Sequence, residues 1–155
     1  MALKEQINND LKTALLGGNR FAGEVLRGLK AVMLSEEIVQ NKREQGLDDA
    51  TIEQLIAREV KKRNESAVIY DGAMRPELAE NERAEAKIMS VYLPQQLSES
   101  DIIAVIKRVI NELGVTSPSA FGQVIGAVKK ELGNTADGAT VAKLVKDASL
   151  YSEKL

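Results

Sequence analysis

The sequence predicts an all-α protein, with an N-terminal bundle of long helical hairpins followed by a small three-helix C-terminal module. Three observations predict it. Apolar residues recur every three or four positions through most of the chain, and no stretch alternates apolar and polar residues convincingly enough for a strand. The three prolines, Pro76, Pro94 and Pro118, each sit where a helix can start or a linker can lie, because a first-turn N–H has no intrahelical partner to lose. Gly17, Gly18, Gly46, Gly72, Gly114, Gly133 and Gly138 all fall between the periodic segments.

Helices are expected over residues 3–16, 19–44, 49–72 and 76–92, then over 99–113, 118–132 and 138–150. The second carries the stripe Val25, Leu26, Leu29, Val32 and Met33, and the third Ile52, Leu55, Ile56 and Val60. Ile102, Ile103, Ile106 and Ile110 mark the fifth helix; Phe121, Val124, Ile125, Val128 and Leu132 mark the sixth. Caps support several starts. Asp48 or Asp49 precedes the third helix, and Ser98 with Asp101 three residues on resembles a capping box. Ser117 before Pro118 and Asp137 before Gly138 suit the last two. Gly17-Gly18-Asn19 reads as a helix terminus.

The long helices stop at Leu93-Pro94 and shorter ones begin at Ser98, which places a boundary at about 94–97 and gives two domains, 1–94 and 95–155. Charge density changes across it. Residues 1–94 carry 14 basic and 16 acidic side chains, residues 95–155 seven of each, so the first part is the more densely charged, as solvated helical hairpins are.

Composition then bounds the chemistry. A chain of 155 residues that is 44% apolar can build one or two small cores. Twenty-three acidic against 21 basic side chains argue against a strong, indiscriminate polyanion binder. With no histidine and no cysteine there is no Ser-His-Asp triad, thiol nucleophile, His/Cys zinc site or disulfide framework. A general acid or base would have to be Asp, Glu, Lys or Tyr with a shifted pKa. Phosphate-binding loop, dinucleotide fingerprint and EF-hand patterns are absent, and Glu82 with Glu85 supplies too few carboxylates to argue for a metal, so no cofactor is expected. The start, Met1-Ala2-Leu3-Lys4-Glu5, has no signal-peptide core, and no apolar run approaches the roughly 20 residues that span a bilayer. A soluble, cytoplasmic chain without a membrane partner is the expectation.

Several polar residues fall in apolar stripes. At about 100° per residue, the core face of the third helix continues through Glu59, Arg63, Ser66 and Tyr70, while Leu78, Met89, Tyr92 and Leu93 share a face of the fourth with Glu82 and Glu85. Antiparallel packing about the Gly72–Met74 turn would bring Arg63 near Glu82 or Glu85, where one guanidinium can serve two carboxylates. Glu59, Arg63, Ser66, Glu82 and Glu85 could thus form a small polar site. The plainer reading, a partly buried ion-pair network that fixes helix register, is preferred, since no nucleophile-base pair or phosphate loop accompanies it.

Three more features carry weight. Lys61-Lys62-Arg63 is a basic run, but two of its members face away from the stripe, as on a solvated face. Gly122 and Gly126, four apart, are expected to permit close helix packing. Lys129, Lys130, Lys143 and Lys146 put four ammonium groups on the last two helices, joined by the Gly133-Asn134-Thr135 turn. From charge alone these are solvated faces, yet they are also the best candidate for a phosphate-facing surface.

The run Val60-Lys61-Lys62-Arg63-Asn64-Glu65-Ser66, then Tyr70, Arg75, Leu78, Glu82, Glu85 and Tyr92-Leu93-Pro94, resembles the YqeY family. Phe121-Gly122-Gln123-Val124, Ala136-Asp137-Gly138, Val141, Leu144 and Val145 match its second half, and Arg27 and Lys30 match in the second helix. The resemblance implies an all-helical fold of long helices followed by a three-helix part. It also implies similarity to the tail of the B subunit of the tRNA-dependent glutamine amidotransferase, GatB, which helps recognise tRNA while catalysis resides in other domains and subunits. The function it implies is a non-catalytic tRNA-binding or translation-associated accessory module, whose partners would be tRNA, an amidotransferase or another translation protein. Two alternatives stand beside it: a protein–protein interaction factor, and an amidotransferase-related enzyme, a carbon–nitrogen ligase with glutamine as amido-N-donor.

Overall fold

The computed structural model describes residues 2–115 and 117–152, the last four as helical backbone. Among the described residues there are seven α-helices and no strand: α1 (Leu3–Leu16), α2 (Arg20–Val39), α3 (Asp49–Gly72), α4 (Pro76–Ser90), α5 (Glu99–Leu113), α6 (Phe121–Leu132) and α7 (Gly138–Ser152). No helix among them is long and apolar enough to cross a membrane. The chain divides into two compact units, Met1–Leu93 and Pro94–Leu155.

In the first unit α3 and α4 form the most extensive helix pair, α1 packs on α2, and α2 also meets α4. Leu3, Ile7 and Leu11 of α1, Leu26, Leu29 and Met33 of α2, and Ile52, Leu55 and Ile56 of α3 fill the core, closed by Leu47, Met89 and Tyr92. The positions recur at i, i+3 and i+4 because that spacing keeps a stripe on one side of a helix. Further along the α3–α4 hairpin the apolar filling thins: beyond Ile56 only Ala67 is buried on α3, and Ala79, Ala86 and Met89 on α4. The Tyr92 hydroxyl donates to Asp10 Oδ2 at 2.6 Å, tying the segment after α4 to α1. Burial, and then that bond, push the Tyr92 pKa well above the ordinary phenol value, so the proton stays on the ring oxygen.

The second helix is shorter than the residue pattern predicts, ending at Val39 and not at residue 44. Its stop is a left-handed cap. Asn41 adopts φ 54°, the Lys42 N–H reaches the Glu37 carbonyl at 2.7 Å, and the Asn41 N–H reaches Ile38 at 3.1 Å, the paired bonds of a Schellman motif. The same motif ends α3, with Met74 at φ 58° and the Arg75 N–H on the Tyr70 carbonyl at 2.8 Å. The glycine of that turn, Gly72, is instead the last helical residue. Asp48 caps α3 by accepting from the Thr51 N–H at 2.8 Å, which holds its carboxyl below the usual carboxylate range.

The second unit packs α5, α6 and α7 each against the other two. Ile102, Ile106 and Val109 meet Val124, Val128 and Leu132, with Val141, Leu144 and Val145 completing the core. The Ser98–Asp101 capping box is present in both directions. Residues 118–120 are a 3-10 turn and not the first turn of α6, with the Ser117 side chain accepting from the Ser119 N–H. Asp137 caps α7, accepting from both the N–H and hydroxyl of Thr140 at 3.1 Å.

One expectation for this unit fails. A methyl group added at Gly122 or Gly126 would meet nothing within 4 Å, and both residues are exposed, so these glycines do not mediate close helix packing. They leave the outer face of α6 as bare backbone. The pattern misleads because four-residue spacing puts two glycines on one face without saying whether that face meets a neighbour or solvent.

Candidate functional site

Two polar clusters come out of the fold, and they differ in kind. The first lies midway along the α3–α4 hairpin. Antiparallel pairing brings Arg63 Nε to 2.9 Å from Glu85 Oε2 and 3.9 Å from Glu82 Oε2. Neither approach is aligned for a hydrogen bond, so Nε and Glu82 Oε2 are buried atoms without a hydrogen-bond partner. Glu59 pairs with Lys62 Nζ at 3.3 Å and not with Arg63; Ser66 is half-buried on α3. Nearer the turn, Arg83 of α4 forms an ion pair with Asp71 of α3 and draws its carboxyl below the usual range. The Arg63 and Arg83 contacts cross between the two helices where few apolar side chains are buried, whereas Glu59–Lys62 lies within α3.

The second cluster is the lysine set. Lys129 and Lys130 occupy the last turn of α6, Lys143 and Lys146 lie on α7, and all four are exposed. At about 100° per residue, Lys130 on α6 and Lys143 and Lys146 on α7 lie opposite the buried stripes Val124–Val128–Leu132 and Val141–Leu144–Val145. Lys129 lies on the flank of α6 that meets α7. A methyl group at Gly138 would come within 3.0 Å of Lys129 Cε and 3.2 Å of its Nζ, so a glycine there lets the lysine chain lie across the start of α7. The structure thus joins Lys129 to α7 and places the other three lysines on outward faces of the same two helices. Lysine ammonium groups with no fixed acidic partner attract phosphate as point charges. Lys129, Lys130 and Lys143 make no ion pair among the described residues, whereas Arg108 of α5 is held by Glu112 and by Glu131 of α6.

No group of three or more acidic side chains placed to hold a metal occurs among the described residues. One charged residue escaped the sequence reading. Glu37, on α2, is buried to 3% exposure, the single buried charge among the described residues, and pairs with Lys4 Nζ at 2.5 Å. A signal was there: Leu26, Leu29, Met33 and Glu37 continue one stripe at helical spacing. Its cation comes from another helix, which spacing within α2 does not reveal.

Comparison with curated proteins returns no match. A family model, described as Yqey-like protein, matches residues 4–149 and so spans both units. The chain therefore belongs to the YqeY family.

Proposed function

We propose that this chain is a non-catalytic accessory module of translation that binds tRNA through α6 and α7, with Lys129, Lys130, Lys143 and Lys146 on phosphates. The observation that carries the reading is the exposure of all four lysines on two consecutive, packed helices. The bare backbone at Gly122 and Gly126 adds to it, since a sugar-phosphate strand can approach a helix that lacks side chains. The near-balanced net charge of −2 fits a contact of limited size and moderate strength. The resemblance to the GatB tail supplies the RNA class. The two units are proposed as separate domains, 1–94 and 95–155, with RNA contact confined to the second.

Anisotropy titration of labelled bulk tRNA at two salt concentrations tests this. Binding that weakens with salt in proportion to the phosphates neutralised is the expected result; absence of binding at low salt overturns the reading.

A second reading has its own observation. Val68, Ile69 and Met74, near the turn of the α3–α4 hairpin, are 66%, 71% and 86% exposed, and apolar surface of that kind suits protein docking. Pull-down from lysate before and after nuclease treatment separates the two, since protein partners survive nuclease and RNA-bridged ones are lost.

A further inference from the structure

We infer that a cleft between the first half of α1 and the second half of α2 binds a small phosphate monoester. The cleft has a volume of about 310 Å³, and its wall includes Lys4, Asn8, Lys30, Met33, Glu37 and Arg43. Lys4 and Asn8 stand one turn apart on α1; Lys30, Met33 and Glu37 follow one another along a single face of α2. Arg43 arrives from the loop that the left-handed Asn41 cap releases from the helix.

The charges do not cancel. Three basic groups and one acidic group line the space. Glu37 is 3% exposed and spends its charge on Lys4, 2.5 Å away. Lys30 and Arg43 are exposed and make no ion pair among the described residues, which leaves two positive charges over one compact opening. A phosphate monoester carries roughly −1.5 to −2 at neutral pH on a single tetrahedral group. A guanidinium fork grips two of its oxygens while an ammonium acts as a point charge.

The volume stands at the low end of the range for ligand cavities, about 300–1,000 Å³. It suits a carbon skeleton of a few atoms resting on Met33, and not a nucleotide. The proposal is independent of the RNA surface, since none of these residues lies in the second unit.

The test is NMR titration of the full-length, ¹⁵N-labelled chain with glycerol 3-phosphate, with methyl phosphate and succinate as controls. Saturable shifts at and around Lys4, Asn8, Lys30 and Arg43 with both phosphates, and succinate weaker by several-fold, are the expected result. The double variant Lys30→Gln/Arg43→Gln changes only exposed side chains and keeps the helical circular dichroism. It lowers affinity by roughly tenfold or more. The inference is overturned if no saturable shift appears at roughly 10 mM ligand in low salt, if the shifts map to α6 and α7, if succinate binds as well as the phosphates, or if the double variant binds unchanged.

Discussion

Two basic clusters that look alike in the sequence end in different electrostatic states. In Lys61-Lys62-Arg63, Lys62 pairs with Glu59, Arg63 lies against Glu85 and Glu82, and Lys61 is partnered as well. On α6 and α7, Lys129, Lys130 and Lys143 have no acidic partner among the described residues. The hairpin sets cations of one helix against carboxylates of the other where few apolar side chains are buried; the three-helix unit builds its core from aliphatic side chains and leaves Lys129, Lys130 and Lys143 exposed. Whether a basic run is available to a polyanion depends on what the fold sets opposite it, which a charge count does not show.

The largest expected effect comes from charge reversal. Lys129→Glu with Lys130→Glu and Lys143→Glu should reduce tRNA affinity by roughly 100-fold or more at low salt, because each reversal removes one phosphate contact and adds a repulsion. Lys61→Glu with Lys62→Glu should change it by less than about threefold. A titration that ranks the triple and the double variant the other way breaks the comparison.

Stability should respond in the opposite sense. Arg63→Met strips the cation from Glu85 and Glu82 and is expected to cost about 1 kcal/mol, discounted because the Arg63 side chain is 38% exposed. Lys130→Met should stay within about 0.5 kcal/mol of the parent. Urea unfolding of both variants checks this, and equal midpoints would remove the register role from the hairpin pair.

Backbone placement gives effects of the same size or smaller. Met74 holds a left-handed conformation that glycine adopts without strain, so Met74→Gly should stabilise the hairpin by about 1 kcal/mol. Gly126→Ala should stabilise α6 by about 0.5–1 kcal/mol, since its added methyl group meets nothing. If RNA lies on that face, the same change should weaken binding while raising the melting temperature, a split that a purely structural role does not produce.

The pH response is smaller again. Arg83 holds the Asp71 carboxyl below its ordinary value of 3.8. A carboxyl with a lowered folded-state pKa contributes stability that is fully present above the unfolded value and is lost as pH falls through the folded one. The hairpin should therefore begin to weaken below about pH 4, and Asp71→Asn should flatten that part of the acid-unfolding curve.

Much of the fold was legible because helices announce themselves. The aliphatic stripes and the Ser98, Asp48 and Asp137 caps mark elements whose periodicity needs no tertiary information. The approach of Arg63 to Glu82 and Glu85 was legible too, once an antiparallel hairpin was assumed. The end of α2 was not. Residues 40–44 are polar and helix-compatible, and the stop comes from one asparagine adopting φ 54°. Gly122 and Gly126 looked like a packing motif because glycine records a missing side chain but not what stands opposite it. Glu37 was overlooked because its partner, Lys4, is 33 residues away in sequence, and the cleft around it exists only once α1 and α2 are packed.

The central claim is that the lysines of α6 and α7 form the RNA-facing surface. The salt dependence of tRNA affinity tests it most directly, measured for the parent chain and for Lys129→Gln/Lys130→Gln/Lys143→Gln/Lys146→Gln. The account predicts that the slope of log K against log salt becomes shallower by about 3 in the variant, each lysine lost removing one neutralised phosphate. A variant whose slope and affinity match those of the parent contradicts it.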